Sequence, residues 1–405
     1  MLTIDEALAR VLAHVPPNTI ERLALQAAAG RVLAEDVYAP EELPPWTASA
    51  MDGFAVRAAD VPGELRVIET VPAGGYPKWV VAAGQATRIM TGAPVPEGAD
   101  AVVMVEDTES LEDRVRIHVS AAPGQHLRPR GSEVARGARV LEAGQVVHAG
   151  VVGLCAALGV PSLRVWARPR VAILSTGDEV VEPGFPLGPG QIHSSNGHAL
   201  AMLVREAGGD PVDLGNAPDD PGAIASALRS ALRCDVVLTT GGVSVGDYDH
   251  VKGVLAELGI PMDFWRVAMK PGKPLAFGVA GGRPVFGLPG NPVSCMVNFY
   301  QFVRPVLRRM VGDPRPFLPV LDVELTGVFR RKPGRPELLR VRLWREGEQI
   351  RGTVAGHQGS AGVQAMADAH GFALIAGDRT EVSGRVAVQV FDTSFLFGTA
   401  AAYRW

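Results

Sequence analysis

The segment DVVLTTGGVSVGDYDH, Asp235 to His250, runs from an apolar, β-branched stretch through two adjacent glycines into a helical pattern. An apolar run of this length between turn signals reads as a strand buried on both faces. The same arrangement recurs twice. VAIL at 171–174 leads into Ser175-Thr176-Gly177-Asp178-Glu179, and a strand around 284–288 leads into Gly287-Leu288-Pro289-Gly290-Asn291-Pro292-Val293-Ser294. Helical spacing occupies 196–207, 221–232, 250–258 and about 293–311, with further short strands at Val212–Leu214 and around 264–267 and 275–279. Asp219 or Asp220 would cap the 221–232 helix, and Pro221 suits its first position. Strands alternating with helices predict a three-layer α/β domain with a mostly parallel sheet. Ligands of such sheets sit beyond the carboxyl ends of the strands, where all three loops fall.

Outward from this module the texture changes. Residues 3–14 and 19–29 have helical apolar spacing, and after Arg31 short β-like runs split by Pro and Gly last to about residue 137. Ala149–Leu158 is helical again, so the β-rich block reads as an insertion into a discontinuous domain. Pro314, Pro316 and Pro319 mark a linker, and 320–405 reads as short strands with glycine turns, a small β-barrel-like domain. The expected domains are 1–38 with 138–168 (helical, discontinuous), 39–137 (inserted, β-rich), 169–313 (α/β) and 314–405 (β). A chain of 405 residues is too long for one ordinary core, consistent with this multidomain α/β plus β layout.

Composition narrows the function classes. Forty-seven percent hydrophobic and 20% charged residues are ordinary for a globular protein, and a formal charge of -4 without a basic tail argues against general nucleic-acid binding. Cys155, Cys234 and Cys295 stand far apart in apolar contexts, the pattern of reduced core cysteines in a cytoplasmic protein. The longest apolar run, around Val151 to Val160, is too short to span a bilayer. The first residues form an amphipathic pattern without signal-peptide features, so no membrane association is expected.

The loops carry the chemistry. Ser175, Thr176 and Gly177 offer donors to a phosphate, while the adjacent carboxylates, Glu179 among them, could hold a metal or orient water. Gly241 and Gly242 let backbone N–H groups approach an anion, and the helix that follows Ser244 adds partial positive charge. Asp247 and Asp249 would repel a bare phosphate, which implies a bridging divalent cation, Mg²⁺. Pro289, Pro292 and Ser294 shape a stiff turn with backbone donors. Lys270 and Lys273 stand in Lys-Pro-Gly-Lys-Pro, although only five of the 39 basic residues are lysines. A polyproline-type path would put both ammonium groups on one side, suited to a compact oxyanion or phosphate. The plainer alternative is a rigid proline loop that happens to carry two lysines. Asp52, between Met51 and Gly53 in an apolar run, is either a turn cap or a site residue. The nine histidines form no triad-like or HxxxH pattern, and His193 and His198 read as surface or capping residues.

MDGFAVR (51–57), RIMTGAPVPEGADAVV (88–103), STGDE (175–179), TTGGVSVGDYD (239–249), KPGKP (270–274) and GLPGNPVS (287–294) occur in the order seen in molybdopterin molybdenumtransferases. By these motifs the chain resembles the MoeA family, which includes the gephyrin E domain, over nearly its whole length and most weakly after residue 320. The resemblance implies an enzyme of molybdenum cofactor biosynthesis that takes adenylyl-molybdopterin and molybdate and releases molybdenum-molybdopterin and AMP. It implies Mg²⁺ dependence, four domains of which one is discontinuous, and an elongated homodimer. The cleft would lie between the α/β domain of one subunit and the inserted domain of the other. The molybdopterin adenylyltransferase is a further expected partner.

Carried onto this chain, the resemblance puts Asp52 and Thr91 at the cleft from the inserted domain. Glu179, Asp247 and Asp249 would serve Mg²⁺ or the hydrolytic water, with Asp219 and Asp220 near the nucleotide. Lys270 and Lys273 would hold molybdate or the pterin phosphate, with Arg340 and Ser360 as anion contacts and Arg335 competing for the role of Arg340. Glu133 stands where relatives carry Asp, and Gln364 and Ala365 stand where they often carry serines. A stand-alone adenylyltransferase shares the Gly-rich module but is much shorter. A non-catalytic scaffold is the other rival, and tungstate could replace molybdate.

Overall fold

The Gly-rich loops leave the ends of adjacent strands of a six-stranded sheet in the computed structural model, which describes residues 1–242 and 250–397. The elements are β1 (Arg170–Thr176), α1 (Asn196–Glu206), β2 (Asp210–Ala217), α2 (Pro221–Ala231), β3 (Val236–Thr240), α3 (His250–Glu257), β4 (Met262–Arg266), β5 (Pro274–Ala280), β6 (Arg283–Leu288) and α4 (Pro292–Asn298). Strand order is β2-β1-β3-β6-β5-β4, parallel through β6 and antiparallel for β5 and β4.

The VAIL run shows why the centre of β1 carries no polar residue. Val171 and Ile173 enter one core with α1 and α4, and Ala172 and Leu174 enter another with α2 and α3. Helices cover both faces, so neither face can be polar. Register places Ser175 beside Thr240, and Thr240 beside Leu288. The three loops therefore start next to one another. β5 runs the other way, with Ala276 opposite Gly287, so the Lys270–Lys273 loop enters the sheet at this same end.

Strands β7 (Val320–Arg330), β8 (Glu337–Glu346), β9 (Gln349–Val354), β10 (Gly371–Ile375) and β11 (Glu381–Val390) close a barrel in the order β7-β9-β8-β10-β11. Its interior holds Val323, Leu339, Val341, Ala373 and Val388. Leu338, Met366 and Phe372 point the other way and are buried in the core of the α/β sheet.

The chain divides into two units, Met1–Glu21 with Trp166–Trp405, and Arg22–Val165. The opening helix Ile4–Leu12 was expected in the discontinuous flank domain. Instead its Ala7 and Val11, both fully buried, pack in the α/β core. A single apolar stripe needs one partner surface, and sequence spacing does not say which.

In the second unit, a six-stranded sheet runs Ala101–Met104, Gly53–Val56, Gln85–Ile89, Gly63–Val71, Arg114–Ile117, Thr108–Ser110. Its core holds Phe54, Val56, Leu65 and Val103. A separate core gathers Leu25, Ala28 and Leu33 with Leu141, Val151 and Cys155, residues from both sides of the β-rich block. The expected helix over 19–29 is a strand, Ile20–Ala24, followed by turns. Leu25 and Ala28 reach their core from the turn, so packing overrides the helix propensity of this Leu- and Ala-rich stretch. Among the described residues, no helix is long and apolar enough to cross a membrane.

Candidate active site

The three strand-end loops wall a cleft of about 830 Å³. Its floor is backbone. Gly241, at φ 93°, lies so close to β1 that a Cβ there would meet the Thr176 carbonyl oxygen at 2.6 Å. Only glycine allows the two loops this approach. The Thr176 hydroxyl, beside them in the cleft wall, is buried and has no hydrogen-bond partner among the described residues. Gly177, at φ 134°, lets the chain reverse so that the Glu179 carboxylate folds back over it; a Cβ would meet Oε2 at 2.5 Å. Asn216 Nδ2 donates to the Gly177 carbonyl at 2.8 Å and fixes this turn.

Glu179 and Asp219 are the only Lys, Arg, Asp or Glu side chains lining the cleft among the described residues. Asp219 is held by its N–H, which donates to Asp178 Oδ1 at 3.1 Å. Asp220, expected near the nucleotide, is the helix cap: its Oδ1 accepts the Ala223 N–H at 2.7 Å. Pro289 and Pro292 line the cleft, and Ser294 is buried in the first turn of α4. The barrel contributes Ala361 to the wall, next to Ser360, whose carbonyl accepts the Val293 N–H at 3.1 Å. Ser244, Asp247 and Asp249 lie outside the described residues.

Sequence reasoning passed over Asn196. Its Nδ2 donates to Thr240 Oγ1 and to the Gly290 carbonyl, both at 2.8 Å, so one amide joins two of the loops. Ser194-Ser195-Asn196 looks like an N-cap cluster, yet Ser195 makes no capping bond with its side chain. Asn196→Ala should cost about 1–3 kcal/mol through the two lost hydrogen bonds, read by urea denaturation. A change within about 0.5 kcal/mol would mean the loops hold each other without it.

The paired-lysine reading requires correction. Gly272 sits at φ 97°, so the loop does not follow a polyproline path. Neither ammonium lines the 830 Å³ cleft, although Pro274 does. Lys270 Nζ is 2.9 Å from Glu337 Oε1. Lys273 lines a different hollow, with Arg10, Trp265 and Arg266. Arg340 also differs from expectation. It is fully buried, its Nη2 donates to the His357 carbonyl at 2.9 Å and the Gly359 carbonyl at 3.2 Å, and burial lowers its pKa. It braces the loop that carries Ser360. Arg335 donates to the Met269 carbonyl at 2.8 Å, just before Lys270.

In the second unit, Asp52 Oδ1 accepts both the N–H and the hydroxyl of Thr91 at 2.7 Å, which holds its carboxyl below the usual range. Two residues expected at the cleft thus form one hydrogen-bonded pair. Glu133 is exposed. His193 lines the cleft of the larger unit, and His198 pairs with Glu182 at 3.0 Å on the surface.

Residues 2–159 match the MoeA N-terminal region (domain I and II), 172–309 a probable molybdopterin binding domain, and 322–391 the MoeA C-terminal region (domain IV). The chain is 42% identical to molybdopterin molybdenumtransferase 2 of Mycobacterium tuberculosis, covering 91% of this chain and 94% of that one. It is 36% identical to the molybdopterin molybdenumtransferase of Haemophilus influenzae, covering 98% and 100%. A crystal structure of the molybdopterin biosynthesis MoeA protein of Pyrococcus horikoshii superposes with a TM-score of 0.84 at 33% identity, covering 97% and 99%.

Proposed function

We infer the activity from one premise: this chain belongs to the MoeA family of molybdopterin molybdenumtransferases. It is a transferase that inserts molybdenum into molybdopterin in molybdenum cofactor biosynthesis. The substrates we propose are adenylyl-molybdopterin and molybdate, and the products molybdenum-molybdopterin and AMP. The observation that carries this reading is the meeting of three donor-rich loops at one sheet end, around a cleft large enough for a nucleotide-linked ligand.

The cleft's acids explain why a cation is needed there. Glu179 and Asp219 would repel a phosphoanhydride brought in alone, and their hard oxygens suit Mg²⁺, which usually takes one or two carboxylates together with phosphate oxygens and water. The Thr176 hydroxyl, buried against Gly241 and Gly242 and without a partner among the described residues, lies in the wall of this cleft. We assign Glu179 and Asp219 to the ion, with Asp247 and Asp249, which lie outside the described residues, as the remaining expected ligands. When bound, Mg²⁺ would neutralise charge developing on the phosphoanhydride. Glu179 would also orient the water that splits this bond, and the backbone at Gly241 and Gly242 would hold the phosphates. Homodimer formation belongs to the same proposal, with the Asp52 and Thr91 of each subunit serving the cleft of the other.

Molybdate is a dianion whose oxygens must be exchanged for the two dithiolene sulfurs of the pterin. Lys270, half exposed at the sheet end, is our principal oxyanion contact, with Lys273 adding positive charge from the neighbouring hollow and Ser360 a hydroxyl. Lys270→Ala should weaken molybdate binding about tenfold or more, measured by equilibrium dialysis. Unchanged affinity would remove Lys270 from the site. The activity itself is tested by incubating the protein with adenylyl-molybdopterin, molybdate and Mg²⁺ and following AMP and molybdenum-molybdopterin. ATP-dependent adenylylation of molybdopterin without insertion would assign the preceding step instead.

A further inference from the structure

The Lys270 ammonium rests on a carboxylate that substrate cannot reach. Glu337 opens β8 and is 2% exposed. Its Oε1 meets Lys270 Nζ at 2.9 Å, and its Oε2 meets Arg331 Nε at 2.7 Å. Arg331 is itself almost buried. Its Nη1 donates to the carbonyls of Ala376 at 2.9 Å, Gly377 at 3.3 Å and Arg379 at 2.8 Å, and its Nη2 to that of Arg335 at 2.7 Å. Main-chain pairing sets the same register: the Lys270 N–H donates to the Pro336 carbonyl at 2.9 Å, and the Leu338 N–H to the Lys270 carbonyl at 2.8 Å.

The charge count decides what such a cluster does. A buried carboxylate with one cation is a neutral pair, and a lysine so paired would offer a dianion little net attraction. With Arg331 on the opposite oxygen, one anion sits between two cations and the cluster keeps a net positive charge. The Nε of Arg331 is held by Glu337 and its Nη groups donate to carbonyls, so the surplus appears at Lys270, the half-exposed member. An ammonium has three N–H donors, of which one faces Glu337, leaving two for solvent or an anion.

We propose that Glu337, neutralised from behind by Arg331, is a positioning residue for the insertion reaction, fixing the Lys270 ammonium at the sheet end while leaving its charge available to the oxyanion. This rests on the assignment of Lys270 as the oxyanion contact. Glu337 touches no substrate and acts only through Lys270.

The test is a double-mutant cycle in the full chain with Glu337→Gln, Lys270→Ala and the double variant, reading molybdate affinity and kcat/KM for insertion. Glutamine keeps the volume and an acceptor for Arg331 but removes the charge that orients Lys270. Glu337→Gln should lower both readouts roughly 10- to 100-fold, the range seen when partners that orient a functional group are removed. In the Lys270→Ala background it should change them by less than about twofold. Equal losses in both backgrounds, or no loss in a folded Glu337→Gln protein, would overturn the proposal. If Lys270→Ala alone binds molybdate normally, the assignment of Lys270 fails first, which is a separate result. Should Glu337→Gln not fold, Glu337→Asp, which keeps the charge but is one methylene short of Lys270, is read by the same cycle.

Discussion

Glu179→Gln is expected to lower turnover by about 100-fold or more while leaving the fold intact. The side chain is exposed to the cleft, so an amide of equal volume disturbs no packing. Its backbone is independently anchored, since the Glu179 carbonyl accepts the Ile192 N–H at 2.8 Å and the Val180 N–H returns to the Gly177 carbonyl at 3.3 Å. What the substitution removes is a negative charge and a basic oxygen poised over Gly177. Single-turnover release of AMP from adenylyl-molybdopterin is the readout. Wild-type rates in Glu179→Gln would exclude this carboxylate from both water orientation and metal binding. A loss of thermal stability in parallel would instead mark it as structural.

The second large effect is Gly241→Ala. A methyl group there would have to occupy space 2.6 Å from a backbone oxygen and 2.9 Å from the Thr176 hydroxyl, at a φ of 93° that disfavours any side chain. Left-handed strain costs about 1–2 kcal/mol and overpacking against backbone about 1–3 kcal/mol, so a loss of about 2–5 kcal/mol is expected by urea denaturation, with activity abolished. Gly290 in the same cleft supplies the control. Among the described residues a Cβ on it would meet only the Gly241 Cα, at 3.8 Å, and Gly290→Ala should be within about 0.5 kcal/mol of wild type. Similar losses from both would show that the collision at Gly241 is not what makes glycine necessary.

Much of this site could be read from sequence because its signals are local. VAIL and the Val236-Val237-Leu238 of DVVLTT are apolar on successive residues only because helices cover both sheet faces, and that also fixes which strand ends lie together. Asp220 with Pro221 marked a helix start, and the structure caps it there. The misreadings involve contacts distant in the chain. The lysine motif suggested a free pair, but Lys270 docks on Glu337, 67 residues later, and nothing in Lys-Pro-Gly-Lys-Pro reports that partner. Arg340 is basic and near a Gly-Ser turn, as an anion contact would be, yet it is fully buried and its Nη2 donates to the turn's own carbonyls. Asn196 stood out in no such way, since a polar residue at the start of the 196–207 helical pattern is ordinary, and a cap and a bridge between loops use the same residue types.

The barrel strands that turn Leu338 and Phe372 toward the α/β sheet, together with Met366, have a consequence for how the chain can diversify. The barrel keeps an interior of its own, but the α/β domain does not: detaching the barrel would strip three apolar side chains from its neighbour and leave an oily scar. Recombination that swaps this C-terminal part for an unrelated one must therefore supply matching plugs as well as a linker. Drift in those three positions is tied to drift in the helices they fill. The barrel is thus inherited with the α/β domain as a single package, even where its outer strands are free to vary.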